Sequence, residues 1–195
     1  MRYVMPLVWG FVVAFLLGFG LKQLEIASGE PLGMTLWLSP MFFGALTAFL
    51  LANLAGNRKV ANASSAERQA ALSSPPPAGK ALLVVWREGF VGMAAGLNVT
   101  VDGVVRAQLK SPRFVVIPLD PGAHEINAAF GGLAGAQNNA SAVRLTVAAG
   151  ETAVIRATLS MGALKNTVNL ALVEDVEAAR RKLASVKMVK PIEAA

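Results

Sequence analysis

A single histidine stands between two acids in the stretch LDPGAHEI, residues 119–126. Asp120 and Glu125 flank His124 on its two sides. Many enzymes build a general base from a histidine beside carboxylates, because a carboxylate orients the imidazole and stabilises its charged form. The same letters also describe a Pro-Gly turn that opens a β-strand. The first question is therefore whether these three side chains can converge.

Alternation along an extended strand separates the three side chains. His124 and Ile126 fall on one face and Glu125 falls on the other, while Asp120 fits the first position of the turn. This pattern favours a structural role for His124 over catalysis. The sequence contains no P-loop, no nucleophile elbow and no EF-hand pattern.

Cysteine and histidine usage excludes further chemistry. The chain has no cysteine and one histidine, so a thiol nucleophile, a disulfide framework and a cysteine- or histidine-rich metal cluster are excluded. We therefore expect a non-enzymatic protein with no catalytic residue, no metal and no cofactor.

Two uncharged apolar segments stand near the beginning of the sequence, at residues 3–21 and 32–56. Hydrophobic residues make up 54% of the chain, and the net charge of +6 comes entirely from residues beyond 57. At about 1.5 Å per residue, each segment is long enough to cross a hydrocarbon core of about 30 Å. We expect residues 1–56 to form a transmembrane helical hairpin.

The charges flanking these segments predict an orientation. Arg2 and residues 57–59 supply positive charge, whereas the connector at 22–31 carries two acids and one lysine. Positive flanks favour the cytoplasmic side, so we expect a multi-pass protein of a bacterial inner membrane with both termini in the cytoplasm. Export of the following domain to the periplasm is the alternative. Cleavage of the first segment as a signal peptide also stays open, although no convincing A-x-A site follows it.

Small residues recur at every fourth position in both segments. Such ridges let helix backbones approach closely, so we expect them to pack the hairpin or to dock another membrane protein or a second copy of the chain. Simple membrane-helix composition is the alternative. The ridge residues are Gly10, Ala14 and Gly18 in the first segment and Gly44, Ala48, Ala52 and Gly56 in the second.

Residues 57–80 read as a linker, and residues 81–173 read as a β domain. The linker is rich in Ala, Ser and Pro; its first part could form a short helix, and SSPPPAG would then stiffen it as a tether. The β region contains seven or eight short strand-like runs separated by turn signals, of which Asp102-Gly103 is the strongest. This texture predicts an all-β antiparallel sandwich.

Residues 174–195 predict a C-terminal helix and a basic tail. Acids stand at the beginning of the helix and bases follow, as the helix dipole favours. We expect the basic residues to contact anionic lipid or a protein partner, with a merely solubilising helix as the alternative. They are Arg180, Arg181, Lys182, Lys187 and Lys190. Nucleic acid is not an expected partner, because the strands lack interleaved aromatic residues.

The Gly-rich stretch REGFVGMAAG lies between two predicted strands. Gly89, Gly92 and Gly96 lack the helix start and the G-K-[ST] signature that phosphate binding requires. A loop that presents Phe90 and Met93 to a membrane or a partner is possible from the sequence, but we expect Phe90 to face the core.

The β region resembles PEGA-type bacterial surface domains and, more closely, a related uncharacterised sandwich family with many lipoprotein members. In those domains a V-x-V-D-G strand and turn is followed, one strand later, by P-P-G-x-H. The matching residues here are Val99, Val101, Asp102, Gly103, Pro121, Gly122 and His124. The arginine and Gly-rich loop at 87–96 and the SMGALKN segment also resemble the family, and the likeness covers about residues 82–185. The PEGA tetrapeptide is absent, and residues 131–140 form a long loop. The resemblance implies a non-enzymatic domain attached to membrane proteins.

Together these features predict a membrane-anchored binding or scaffold module. An accessory subunit of a membrane transport or envelope complex, docked through its transmembrane hairpin, is the alternative. The expected partners are membrane lipids and another membrane protein or a second copy of this chain.

Overall fold

The computed structural model describes residues 3–192, and the chain divides into two compact units, Met1–Ala55 and Gly56–Ala195. Arg2, which belongs to the charge pattern that predicts orientation, and residues 193–195 of the expected tail lie outside the described residues. The unit boundary falls one residue before the end of the expected hairpin.

The first unit consists of two apolar helices that pack against each other, α1 (Val4–Ser28) and α2 (Thr35–Leu54). Both are long and apolar enough to cross a membrane, as judged by length and composition. Helix α1 runs about two turns beyond the expected segment, to Ser28, and there Lys22 Nζ lies 2.6 Å from Glu25 Oε1. Gly29 then ends the helix with a φ of 69°, a left-handed conformation that glycine adopts easily.

The second unit contains two β-sheets and three short helices. Its strands within the described residues are β1 (Ala81–Arg87), β2 (Leu97–Val101), β3 (Val104–Leu109), β4 (Arg113–Leu119), β5 (Gly122–Phe130), β6 (Asn138–Asn139), β7 (Ser141–Val147), β8 (Thr152–Ser160), β9 (Asn166–Leu172) and β10 (Lys187–Val189). Its helices are α3 (Ser65–Ser73), α4 (Gly132–Ala136) and α5 (Val176–Leu183). The sequence predicts seven or eight strands, and eight are present together with the short β6 and β10.

Strand pairing differs from the expected all-antiparallel arrangement. The four-stranded sheet, in the order β3-β2-β5-β7, is antiparallel throughout. The six-stranded sheet, in the order β10-β4-β1-β8-β9-β6, is mixed, because β1 pairs in parallel with β8, β10 with β4, and β6 with β9. Alternation and turn residues mark each strand, but they do not say which non-adjacent strand it will pair with.

The two sheets share one hydrophobic core. Leu83 and Val85 from β1 pack in the same buried cluster as Val99 from β2, Leu109 from β3 and Ile126 from β5. Every residue of β1 is buried, as the continuous apolar run ALLVVWR predicts for a strand covered on both faces. Its outer face lies under a second cluster that includes Leu183 of α5 and Leu72 of α3.

The expected linker and C-terminal segment pack against the β domain. Helix α3 begins with a capping box, in which Ser64 Oγ accepts from the Glu67 amide and the Glu67 carboxylate accepts from the Ser64 amide. Its apolar side packs against the outer face of the six-stranded sheet, and β10 continues that sheet beyond β4. The short helix that the sequence allows in the first part of the linker is therefore present, and Val60, Leu72 and scattered alanines provide the apolar surface that docks residues 57–73 on the domain.

Candidate functional site

The only histidine is held by the turn between β2 and β3. Asp102 and Gly103 form that turn with φ angles of 49° and 79°, the left-handed pair that a two-residue hairpin needs. Asp102 Oδ2 lies 2.6 Å from His124 Nδ1, and Oδ1 accepts a 2.9 Å hydrogen bond from the Glu125 amide. The carboxylate of Asp102 therefore fastens the start of β5 to the hairpin.

Both ring nitrogens of His124 face hydrogen-bond acceptors. Nε2 lies 2.8 Å from the carbonyl oxygen of Asp120, opposite the Asp102 carboxylate on Nδ1. An imidazole can donate from both nitrogens only as the cation. Accordingly, the Asp102 carboxylate, followed by the Asp120 carbonyl, raises the pKa of His124, and the bond to His124 lowers the pKa of Asp102. The ring therefore links two turns through hydrogen bonds, and both of its nitrogens are engaged.

The two acids beside His124 in sequence point elsewhere. The Glu125 carboxylate pairs with Arg144 on the neighbouring strand β7, at 3.3 Å. The Asp120 carboxylate binds Lys80 Nζ at 2.7 Å, and this bond lowers the pKa of Asp120. The separation that strand alternation predicts is present. The sequence reasoning missed the partner of His124, although Asp102 was already marked as a turn residue.

Arg87, at the end of β1, is a second notable polar residue. It is 2% exposed, and its guanidinium donates to the carbonyl oxygens of Gly92, Ala95 and Leu109. The ring of Phe130 lies 4.9 Å from its Cζ, a cation–π contact. Burial lowers the pKa of Arg87 to about 10. Arg87 therefore shapes the loop at 88–96 from inside, which fits its place ahead of a Gly-rich stretch.

Gln108 organises a polar network that sequence reasoning did not find. It is 3% exposed, and its Nε2 donates to the carbonyl oxygen of Gly56 at 3.0 Å and to Asn98 Oδ1 at 2.8 Å. Its Oε1 accepts from the Arg58 amide at 2.6 Å. Asn57 extends the network, because its side chain donates to the Ala94 carbonyl and accepts from the Gly96 amide. The segment at 56–58 is thus fixed to the β domain. A glutamine in an alternating strand gives no sequence signal of this role.

The ridge residues of the first unit fall into two groups. A Cβ on Gly10 would lie 2.6 Å from the carbonyl oxygen of Gly44, and one on Gly44 would lie 2.8 Å from the Ala14 Cβ. Gly10 also faces Ala48, and Gly18 faces Pro40 at 3.6 Å, so these residues do lie between α1 and α2.

The last two members of the second ridge, Ala52 and Gly56, differ in position. Ala52 is half-buried in α2. Gly56 is not part of the ridge, because α2 ends at Leu54 and Gly56 packs against Gly131 of the β domain. Its expected role in helix packing is corrected on this ground.

The C-terminal basic residues are mostly held by acids. Arg180 binds Glu177, Lys182 binds Glu88 and lies over the Trp86 ring, and Lys190 binds Glu67. The bond from Lys190, together with those within the α3 cap, lowers the pKa of Glu67 to about 2. Arg181 and Lys187 are exposed. A groove of about 520 Å³ between α3 and α5 is lined by Arg68, Arg180 and Arg181, opposed by Glu177.

Phe90 does not face the core as expected; its side chain is 84% exposed. Arg87 fills the space beneath the loop, and its bonds to the Gly92 and Ala95 carbonyls hold the loop away from the core. Among residues 3–192, no group of three or more His, Asp or Glu side chains is placed to hold a metal ion. No protein-family model matches the chain, and it matches no curated protein.

Proposed function

We propose that this chain is a membrane-anchored, non-enzymatic binding or scaffold module of a bacterial inner membrane. The apolar surface of α1 and α2 carries the proposal. Large side chains such as Phe11, Trp37 and Met41 are each about two-thirds exposed or more, at 72%, 70% and 68%. A helical pair that turns its small residues inward and its large apolar residues outward is stable in lipid and not in water.

The bonding of two polar residues supports binding over catalysis in the β domain. The polar residues that might suggest chemistry are engaged in structure: His124 joins two turns, and Arg87 holds a loop. The resemblance to PEGA-type domains points the same way. The residues that carry this resemblance lie close together, because Asp102 of the first motif is bonded to His124 of the second.

The groove between α3 and α5 is the surface that we assign to a protein partner. Arg68 and Arg181 lie in it without a described carboxylate bond, so an acidic segment of a partner fits its charge. In this view the basic C-terminal helix serves through its arginines, while Lys182 and Lys190 hold the helices in place.

Membrane fractionation and affinity capture test the proposal. The chain should remain in the pellet after alkaline carbonate extraction of bacterial membranes. Mild-detergent capture, read by mass spectrometry, should return a partner that is lost in an Arg68→Glu, Arg181→Glu variant. Release by carbonate would overturn the membrane anchor, and a reporter fused at Ala195 that is active only in the periplasm would overturn the cytoplasmic orientation.

An accessory subunit that docks through its hairpin is the second candidate. An apolar groove of about 530 Å³ runs between α1 and α2, lined by Gly18, Phe19, Trp37, Pro40 and Met41. A membrane helix of a partner fits such a groove. Replacing the hairpin by an unrelated two-span anchor separates the candidates, because partner capture should persist for the β-domain surface and disappear for a hairpin dock.

A further inference from the structure

One end of the β domain is built from four segments, which we call the Gly56 face: residues 56–59, 88–96, 110–112 and 161–165. Strands β1 and β8 run parallel, with Arg87 opposite Ala157, so the loop after β1 and the turn after β8 leave from the same end. The turn between β3 and β4 joins them, since Ser111 Oγ donates to the Gly89 carbonyl at 2.7 Å.

The segment at 56–59 is fixed to this end by side-chain bonds. Asn57 Nδ2 donates to the Ala94 carbonyl at 3.0 Å, and Asn57 Oδ1 accepts from the Gly96 amide at 2.6 Å. Gln108 holds the carbonyl of Gly56. The first residues after α2 and the tip of the 88–96 loop are therefore parts of one surface.

Four apolar side chains project from the Gly56 face. Phe90 is 84% exposed, Met93 41%, Met161 78% and Leu164 98%. They stand on two different connections, the loop after β1 and the turn after β8. Exposed apolar side chains grouped at one end of a small domain indicate a surface that contacts a protein or a membrane.

Charge is distributed unevenly between the two ends. The exposed or half-buried bases Arg58, Lys59, Lys110 and Lys165 lie on segments of the Gly56 face. Glu88 lies at the same end, but Lys182 and Arg156 bind its carboxylate at 2.8 and 3.5 Å. The opposite end carries Asp102, Asp120, Glu125 and Glu151, and the first three are paired with His124, Lys80 and Arg144. The excess of positive charge therefore lies on the Gly56 face, which suits an anionic, apolar surface.

Chain connectivity favours lipid as that surface. Helix α2 ends at Leu54, and consecutive Cα atoms are about 3.8 Å apart, so Asn57 lies within about 11 Å of Leu54 along any path. We propose that the Gly56 face rests on the bilayer, with Phe90, Met93, Met161 and Leu164 entering the headgroup boundary and the surrounding bases meeting anionic lipid. This inference depends on the proposed membrane anchor.

Site-specific fluorescence tests the contact in the full chain. The absence of cysteine permits single variants Phe90→Cys, Leu164→Cys and Val104→Cys, each labelled with NBD. Val104 is the matched control, since it is apolar and 44% exposed but lies beside Asp102 at the opposite end. Each labelled protein is reconstituted into vesicles of equal parts phosphatidylcholine and phosphatidylglycerol, with and without nitroxide-labelled phosphatidylcholine.

NBD at positions 90 and 164 should emit several-fold more strongly and at shorter wavelength than NBD at 104, and the nitroxide lipid should quench only the first two. Equal emission and no quenching at all three positions, in protein that floats with the vesicles after carbonate treatment, would overturn the lipid contact alone. Protein that fails to float would instead overturn the membrane anchor. Strong emission at 90 and 164 without quenching would also overturn the lipid contact and would indicate a protein contact.

Discussion

The carboxylate of Asp102 and the imidazole of His124 join two turns of the β domain, with Oδ2 2.6 Å from Nδ1. The same carboxylate accepts from the Glu125 amide, and the other ring nitrogen faces the Asp120 carbonyl. One charged pair thus fixes the β2–β3 hairpin, the start of β5 and the turn before it. The acid that binds His124 is therefore Asp102 of the neighbouring hairpin, and neither acid beside it in sequence binds it through its side chain.

The first prediction concerns the pKa of His124. Because Asp102 stabilises the imidazolium, the pKa should lie above the ordinary value of 6.5, and Asp102→Asn should lower it while keeping a residue that tolerates the turn. The single histidine gives one imidazole signal in NMR titration of a protein purified without a histidine tag. Glu125→Gln is the control and should leave the pKa near its wild-type value. An unchanged pKa in Asp102→Asn would contradict the assignment.

The second prediction is a pH dependence of domain stability. The folded pKa of His124 is raised, so its contribution is fully present below the unfolded pKa of about 6.5 and is lost as pH rises through the folded pKa. The urea midpoint should therefore fall above neutral pH, followed through Trp86 fluorescence in a Trp9→Phe, Trp37→Phe background. His124→Gln should flatten this dependence. The same slope in the variant would show that another group is responsible.

The third prediction is that Arg87 is needed for stability. Replacing it with methionine leaves the Gly92, Ala95 and Leu109 carbonyls without their donor, and each buried group left unpaired costs about 1–3 kcal/mol. Urea unfolding should show this loss. Arg144→Met is the matched control, because the Arg144 side chain is 87% exposed and its ion pair with Glu125 should contribute about 1 kcal/mol or less. Equal losses in the two variants would refute the role.

The fourth prediction tests the packing of α1 and α2. Gly44→Leu places a side chain where a Cβ would lie 2.7 Å from the Gly10 carbonyl oxygen, a backbone atom that cannot move alone. Gly20→Leu is the control, because nothing lies within 4 Å of a Cβ there. Met5 and Leu54 line one pocket, so a short bismaleimide should crosslink the two cysteines of a Met5→Cys, Leu54→Cys variant. In that background only Gly44→Leu should reduce the crosslinking yield. Equal yields would argue against the seam.

Local patterns allowed much of the fold to be predicted. Uncharged length marks α1 and α2, alternation marks the strands, and Asp102-Gly103 marks its hairpin, because each depends on neighbours in sequence. The parallel pairing of β1 with β8 depends on residues about 70 apart along the chain, as a comparison of Leu83 with Ala153 shows. No short pattern carries that information.

The candidate site was also predicted in part only. Alternation correctly separates His124 from Glu125, but the partner Asp102 is brought in by the register between β2 and β5, in which Val101 lies opposite Ile126. Gly56 was assigned to a helix because the uncharged run continues through it. The helix ends at Leu54 because the following residues gain their hydrogen bonds from the β domain.

The fifth prediction concerns that attachment. Gln108→Met keeps the length of the side chain but leaves the Gly56 carbonyl and the Arg58 amide without their partner; both bonds are part-buried, so the loss should stay below about 1–3 kcal/mol for each group. The segment should then open more often, and trypsin should cleave after Arg58 and Lys59 faster than in the wild type. Cleavage after Lys165, in an exposed turn, should keep its rate and serves as an internal reference.

A control variant separates this local release from general destabilisation. Gln69→Met changes an exposed glutamine on α3 and should leave both cleavage rates unchanged. If Gln108→Met accelerated cleavage at all sites alike, the whole domain would be less stable and Gln108 would be a core residue without a specific hold on the segment. If cleavage after Arg58 were unaffected, Asn57 and the Gly56–Gly131 contact would suffice to hold the segment, since both remain intact in the variant.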